Sequence, residues 1–180
     1  MLRIIAGIYR NLKIKEPDSN FTRPTTEKVR ESIFSSLQFK IANKRCLDLF
    51  SGSGAWSIEA ESRGAKEIVA IEKNSQVYKV LINNLLLIKS KNITAIQTDA
   101  LLYLKKENQP FDFIFIDAPF KDFDLVSKSL KEITLKKLLN LDGEIIIETD
   151  VSKLIELPDE LKIYKQKKHG RIDLLYVCWK

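Results

Sequence analysis

A doubly wound α/β fold with an antiparallel edge is the fold class that this 180-residue sequence predicts, and three observations carry it. From Arg45 onward, short apolar runs at 45–50, 67–72, 93–98, 111–117 and 143–149 alternate with stretches of helical composition, the pattern of strand–helix–strand units. Two of these runs, 111–117 and 143–149, are nearly continuously apolar, as strands covered on both faces should be. The last two runs, Leu161 to Gln166 and Ile172 to Trp179, are joined only by Lys167-Lys168-His169-Gly170-Arg171, which reads as an antiparallel hairpin.

Taken in order, the chain begins with weak alternation in Arg3-Ile4-Ile5-Ala6 and again from Tyr9 to Ile14, with Gly7 near the turn. This is the signature of a small hairpin, and residues 1–25 are expected to form an extension ahead of a main domain at 26–180. Residues 16–20 are a loop by their turn residues. Thr26 is placed to cap a helix with Glu27 in its first turn and Val29, Ile33, Phe34 and Leu37 on one face. Residues 45–50 then run into a glycine turn, Ser51-Gly52-Ser53-Gly54, with a helix from Ala55 to Arg63 behind it. The clearest helix is Ser75 to Lys89, where Val77, Val80, Leu81, Leu85 and Ile88 make a stripe.

Composition sets limits on function. Apolar content of 44% and charged content of 30% are ordinary for a soluble globular chain of one domain. There is no run of eighteen apolar residues, and Met1 to Gly7 is too short for a secretory core, so a cytoplasmic protein without membrane contact is expected. Cys46 and Cys178 lie in strand-like runs, as core residues would, which argues against a thiolate nucleophile; with one histidine they leave no zinc-ligand spacing. Net charge is +6, and its distribution says more: ten basic against four acidic residues in 1–45, fourteen against nineteen in 46–161, six against one in 162–180. Basic ends flanking an acidic middle suit a phosphate backbone, although lysine-rich surface also serves solubility.

The glycine turn is where chemistry is expected. A strand, a glycine turn and a helix bring backbone N–H groups close to a ligand. Asp48 sits inside the strand, where a bland sequence would carry Val or Ile. Glu72 ends the next strand about twenty residues beyond Gly52, the spacing at which an acid holds a ribose diol. A dinucleotide site would need glycine at position 57, where Ser57 stands, and a carboxylate beneath a pyrophosphate would repel it. A cofactor with a cationic amino-acid end on an adenosine, S-adenosylmethionine, suits Asp48 better. Asp117-Ala118-Pro119-Phe120 ends the strand 111–117 beside the same crevice. The Asp117 carboxylate and the Ala118 carbonyl can accept the two hydrogens of an exocyclic amine and aim its lone pair, and Phe120 can stack on an unstacked base. Read alone, such an Asp could equally be a helix cap, and Trp56 could line the pocket or pack.

The residues from Asp48 to Ala55, followed by Glu59-Ala60 and Ser62-Arg63-Gly64-Ala65, resemble the cofactor motif of the RsmD-type methyltransferases, which act on a guanine N2 of small-subunit (16S) ribosomal RNA. Arg3 to Gly7, and Arg23-Pro24-Thr25-Thr26 with Val29-Arg30-Glu31 and Phe34, are similar to that family's N-terminal signature. Asp99-Ala100 is similar to its third cofactor motif, and the tail through Leu175-Tyr176 matches loosely. The family's D-P-P-F has Ala118 at its second position here, which leaves the loop less rigid but keeps the carbonyl. The resemblance implies a Rossmann-like methyltransferase sheet and a cofactor site of Asp48, Phe50, Ser51, Gly52, Gly54, Glu72, Lys73, Asp99 and Ala100 with Arg23 and Thr25, Asp99 meeting the adenine amine. It implies catalysis at Asp117, Ala118, Pro119 and Phe120, and a monomer acting on 16S rRNA within a small-subunit particle. Arg10, Lys13, Arg23, Lys167, Lys168 and Arg171 are the expected RNA contacts, and His169 a surface or RNA-facing residue. Methylation of adenine N6 in DNA or RNA, or RNA binding without catalysis on the same fold, are the alternatives that the motifs leave open.

Overall fold

The structure is a computed structural model and describes residues 1–18, 26–118 and 122–180. Its centre is a seven-stranded sheet built from β3 (Arg45–Asp48), β4 (Glu67–Glu72), β5 (Ile93–Gln97), β6 (Phe111–Ile116), β7 (Leu139–Thr149), β8 (Leu161–His169) and β9 (Ile172–Trp179), in the order β5-β4-β3-β6-β7-β9-β8. The first five positions of that order pair in parallel, whereas β9 pairs antiparallel with both β7 and β8. A separate two-stranded ladder, β1 (Leu2–Arg3) with β2 (Lys13–Ile14), forms the N-terminal hairpin. The doubly wound sheet with an antiparallel edge is therefore present.

Two helix layers cover the sheet. On one face lie α1 (Glu27–Leu37), α2 (Ala55–Ser62) and α3 (Ser75–Ile88), whose Val29, Ile33, Phe34, Trp56, Ile58, Leu81 and Leu85 share one core with Ile4 and Ile14 of the hairpin. On the other face α4 (Ala100–Lys106) and α5 (Phe123–Leu135) bring Leu104, Val126, Leu130 and Ile133 onto Leu47, Ile114, Ile145 and Ile147. Successive strand residues point to opposite faces, so β3, β6 and β7 must be apolar at nearly every position.

The caps follow the local sequence. Thr26 Oγ1 accepts from Val29 N at the start of α1, as expected, and Asn74 does the same for α3 through Gln76 N and Val77 N. Helix α3 ends at Ile88 because Lys89 turns left-handed (φ +53°) and its N–H returns to Leu85 O and Leu86 O.

Three boundaries of the large sheet differ from the sequence expectation by two residues or more, each for a physical reason. Strand β3 stops at Asp48, because the chain must already turn toward the Ser51–Gly54 loop. Strand β7 starts at Leu139, four residues early; Leu139 pairs with Phe111 and Glu144 with Phe113, so Asn140 to Gly143 bulge out between them. Strand β8 runs on to His169, which shortens the turn to Gly170 (φ +61°) and Arg171. Lys167 and Lys168 thus lie on a strand and point to opposite faces.

Helix α2 is buried over all eight of its residues, although four of them are polar. Each polar side chain is matched to a different segment. Ser57 donates to Asp48 in β3. Glu59 accepts from Ile5 N at 2.9 Å and Ala6 N at 3.1 Å, and lies against Arg63 (2.9 Å) and the fully buried Arg30 (4.0 Å). Glu61 Oε1 accepts from Lys91 N and Asn92 N ahead of β5. Ser62 Oγ donates to Ala6 O and accepts from Tyr9 N. Gly7 (φ +84°) completes the junction: a Cβ there would lie 1.8 Å from the Ser62 carbonyl oxygen, so only glycine allows the hairpin to dock.

Candidate active site

The chain winds outward from β3 to β4 and β5, then returns to β6 on the other side of β3. That reversal opens a crevice above the carboxyl ends of β3 and β6, the usual ligand position in such sheets. Asp48, the Ser51–Gly54 turn, Glu72, Asp99 and Asp117 all stand at strand ends along this edge.

The turn is held by its own backbone and by β4. Ser51 N and Oγ both donate to Ile71 O, at 2.8 and 2.9 Å, and Gly54 N closes onto Ser51 O at 2.7 Å. Gly52 (φ +52°) and Gly54 (φ +83°) are both left-handed, and they differ in their surroundings. A Cβ on Gly54 would press on Leu81 Cδ1 at 2.5 Å, whereas one on Gly52 would meet nothing within 4 Å. Gly54 is glycine for packing; Gly52 keeps its backbone face open to a ligand.

The carboxylates around the turn already carry bonds. Glu72 Oε2 accepts from Gly52 N at 3.1 Å and Oε1 from Asn74 N at 2.7 Å, so this side chain both shapes the turn and keeps further lone pairs for a diol. Burial pushes its carboxyl up, against the opposing bonds from Asn74 and Gly52. Asp99 caps α4 through Leu101 N and Leu102 N, and its Oδ2 accepts from Lys73 Nζ at 3.1 Å. Burial pushes the Asp99 carboxyl up, but Lys73 and the two amides outweigh it and hold it below its ordinary value. Asp48 is the most constrained. Its Oδ2 accepts from Ser57 Oγ at 2.6 Å and Ser57 N at 3.1 Å, 2% of its surface is exposed, and burial pushes its carboxyl up to about 7. The bonds from Ser57 oppose that rise, and the charges of Asp117 and Glu72 add to it, so Asp48 senses both of the other acids.

A cationic amino-acid end is the natural complement to Asp48 under three-acid crowding, and Glu72 with an open Gly52 fits an adenosine ribose. The donor set therefore suits S-adenosylmethionine. Asp117 follows the last residue of β6, half-buried, and Ala118 is buried behind it.

A family model described as "Conserved hypothetical protein 95" matches residues 2–178. The chain belongs to this family, that of the RsmD-type methyltransferases. It is 36% identical over 177 residues to the Ribosomal RNA small subunit methyltransferase D of Buchnera aphidicola (subsp. Acyrthosiphon pisum), covering 97% of this chain and 92% of that protein. The protein of the same name from Escherichia coli is 33% identical, with 95% and 86% covered. Among solved structures, the Escherichia coli yhhF protein superimposes with a TM-score of 0.90 at 31% identity, over 99% of this chain and 98% of that one.

Of the residues expected in this RsmD-type site, the structure brings Asp48, Ser51, Gly52, Gly54, Glu72, Lys73, Asp99 and Asp117 to one edge. Phe50 and Ala100 stand there as well but pack their side chains into the core beside α4. Trp56 is a packing residue: it is 4% exposed and meets Phe34 and Phe115 at ring separations of 6.3 and 5.6 Å. Arg23, Pro24, Thr25, Pro119 and Phe120 lie outside the described residues. The expected RNA contacts are dispersed. Arg10 and Lys13 are exposed on the hairpin over α2, Lys168 and Arg171 on the far edge of the sheet, while Lys167 and His169 turn toward α1 and meet Ser32 Oγ at 3.3 and 3.1 Å.

Ser57 and Asn84 build the site although no motif gives them a role, and Glu59 has one that its motif does not show. At position 57 the sequence shows only the absence of a glycine. Asn84, 1% exposed, accepts from Lys15 N and donates to Lys15 O and Ser53 O, all at 2.9 Å, which fixes the hairpin's exit beside the glycine turn. Glu59 holds the hairpin itself. An amide on the apolar stripe of α3 is a legible signal; Ser57 offers none without its partner, and Glu59 stands in the resembling motif without showing what it would hold.

Proposed function

We propose that this chain transfers a methyl group from S-adenosylmethionine to the exocyclic N2 of a guanine in small-subunit ribosomal RNA, acting in the cytoplasm as a single copy on RNA carried in a small-subunit particle. The observation that carries the chemistry is the position of Asp117 just past the end of β6, the strand beside the one that carries Asp48, whose carboxyl the Asp117 charge raises. When bound, the cofactor supplies an electrophilic methyl group on a sulfonium. Asp48, held by Ser57, opposes its cationic end; the Gly52 backbone and Glu72 receive its ribose. Asp99 and Lys73 border the adenine side.

The remaining work falls to Asp117 and Ala118. An aniline-like amine is a poor nucleophile because its lone pair is delocalised into the ring. Acceptance of its two hydrogens by the Asp117 carboxylate and the Ala118 carbonyl directs that lone pair out of the ring plane. The carboxylate then opposes the positive charge that grows on nitrogen as the N–C bond forms, a stabilisation that is strongest away from water. It would take the proton that nitrogen sheds, the C–S bond pair staying with sulfur on a neutral thioether that leaves. Phe120 follows in sequence and supplies a face for the flipped base. The choice of small-subunit RNA rests on the relatives' names and on the shared N-terminal signature.

Tritium transfer from labelled cofactor to small subunits of a strain lacking its own copy of the enzyme tests this reading, with nuclease mapping of the product. Label recovered as N2-methylguanine at one position of small-subunit RNA is expected; label on adenine N6, or none, would overturn it.

A further inference from the structure

A second cleft opens at the far edge of the sheet, around Lys168, one of the expected RNA contacts. It has a volume of about 550 Å³, within the range of small-ligand sites, and is lined by Ser152, Lys153, Ile163, Gln166, Lys168, Asp173 and Leu175. One wall is the 3-10 turn Ser152–Leu154 that follows β7, and the floor is the β8–β9 hairpin. We propose that this cleft binds a nucleotide of single-stranded RNA flanking the methylated base, which rests on the reading of the substrate as RNA.

Register fixes which face is involved. Gln166 pairs with Leu175, Lys168 with Asp173 and Ile163 with Val177, and directly opposed residues share a face. Leu175 and Val177 belong to the core beneath α4 and α5, so Ile163, Gln166 and Lys168 look out on that side. Val177 is fully buried while Ile163 stays 42% exposed, so the apolar floor reaches past its cover. Ser152 Oγ donates to Asp173 Oδ2 at 2.6 Å, which ties the turn to the hairpin and occupies the one acid in the lining.

The chemistry matches a nucleotide. Lys153 and Lys168 offer two ammonium groups to phosphates, Gln166 offers an amide to a base edge, and the exposed Ile163 offers an apolar surface to a base plane. Residues 162–180 carry six basic side chains against one acidic, so the surrounding field attracts a polyanion. Position also matches. Asp173 pairs with Thr149 at the carboxyl end of β7, so the rim of the cleft is level with the strand ends that carry Asp117. With β7 and β9 between them, β6 and β8 are three strand spacings apart, about 14 Å. That distance is too long for the target base and suits a neighbour along the strand.

The test is fluorescence anisotropy with a labelled single-stranded oligoribonucleotide carrying one guanine among uridines, read over a series of salt concentrations. The double variant K153E/K168E is expected to bind at least tenfold more weakly and to lower the log–log salt slope by about 1.4, since each single-strand phosphate contact contributes about 0.7. Ile163→Ser should weaken binding by about threefold with the slope unchanged, as a loss of apolar contact does. K66E, at the opposite end of the sheet, is the charge control and should shift affinity by no more than the unspecific effect of one charge reversal. Cofactor affinity measured by calorimetry confirms that each variant is folded. K153E/K168E keeping the wild-type affinity and slope, or matching K66E, would overturn the cleft. Failure of the proposed function would be seen separately, as absence of methyl transfer by the unaltered protein.

Discussion

Ser57 and Asp48 are joined twice, side chain to side chain at 2.6 Å and backbone N–H to the same oxygen at 3.1 Å, at a point where both are almost wholly buried. A carboxyl pushed up to about 7 by burial is half-ionised near neutrality, and these two bonds favour its charged form. A cationic ligand favours the same form. Cofactor affinity measured by calorimetry should therefore rise through pH 6–8 and level off above. Ser57→Ala should move that inflection to higher pH. The effect on stability has the opposite sign: the native state holds this proton over a range where the unfolded chain has lost it, so stability falls as pH rises from about 4 to about 7. Asp48→Asn should melt higher than the parent at pH 8 and bind cofactor more weakly. A flat affinity–pH curve in the parent would show that Asp48 does not oppose the ligand's cation.

Glu72 accepts from Gly52 N and Asn74 N through different oxygens. Glu72→Gln sets an NH₂ group against one of those amides, so it should open the turn as well as lose a diol acceptor. A drop in cofactor affinity of about 1–3 kcal/mol is expected for the Ala and Gln variants alike. Calorimetry giving parental affinity for both would remove Glu72 from the site.

Asp117→Asn should lower single-turnover methyl transfer by about a hundredfold to a thousandfold, the usual loss for an electrostatic partner in a closed site. Cofactor affinity at pH 8 should change little. Because the Asp117 charge raises the Asp48 carboxyl, the same variant should move the pH inflection of cofactor binding downward, opposite to Ser57→Ala. A purely structural cap would give neither the rate loss nor that shift.

Gly7 and Gly170 are both left-handed, at φ +84° and +61°, but alanine at the two positions should behave differently. At Gly170 nothing lies within 4 Å, leaving only the backbone preference, about 1–2 kcal/mol. At Gly7 the new Cβ meets the Ser62 carbonyl at 1.8 Å and the hairpin has to lift away from α2. Loss of about 3 kcal/mol or more is expected in urea unfolding of Gly7→Ala. Equal values for the two variants would mean that the hairpin docks loosely.

The parallel core was legible because strands buried on both faces must be apolar almost throughout, and β4 was read to the residue as 67–72. The position of the crevice was legible for a similar reason: a glycine turn and acids at strand ends follow a fixed spacing. The inside of α2 was not. Its Ser57, Glu59, Glu61 and Ser62 resemble the polar face of a surface helix, and their partners come from segments that no local pattern connects to them. The tail misled for another reason. Lysines and a histidine before a glycine have turn composition, yet β9 offers a full ladder of partners, and pairing carries β8 on to His169.

The bonds from Glu59 and Ser62 to residues 5–9 close loops of 53 to 56 residues. Contacts so distant in sequence form late, since loop closure must be met before they contribute. During synthesis the first eighteen residues emerge without a surface to join, and they gain one only when the helix behind the cofactor turn has been made and folded. The N-terminal arm and the cofactor loop should then mature in a single step: a nascent chain cut before Ser62 would leave its own beginning protease-sensitive, and one extended through α3 would protect it.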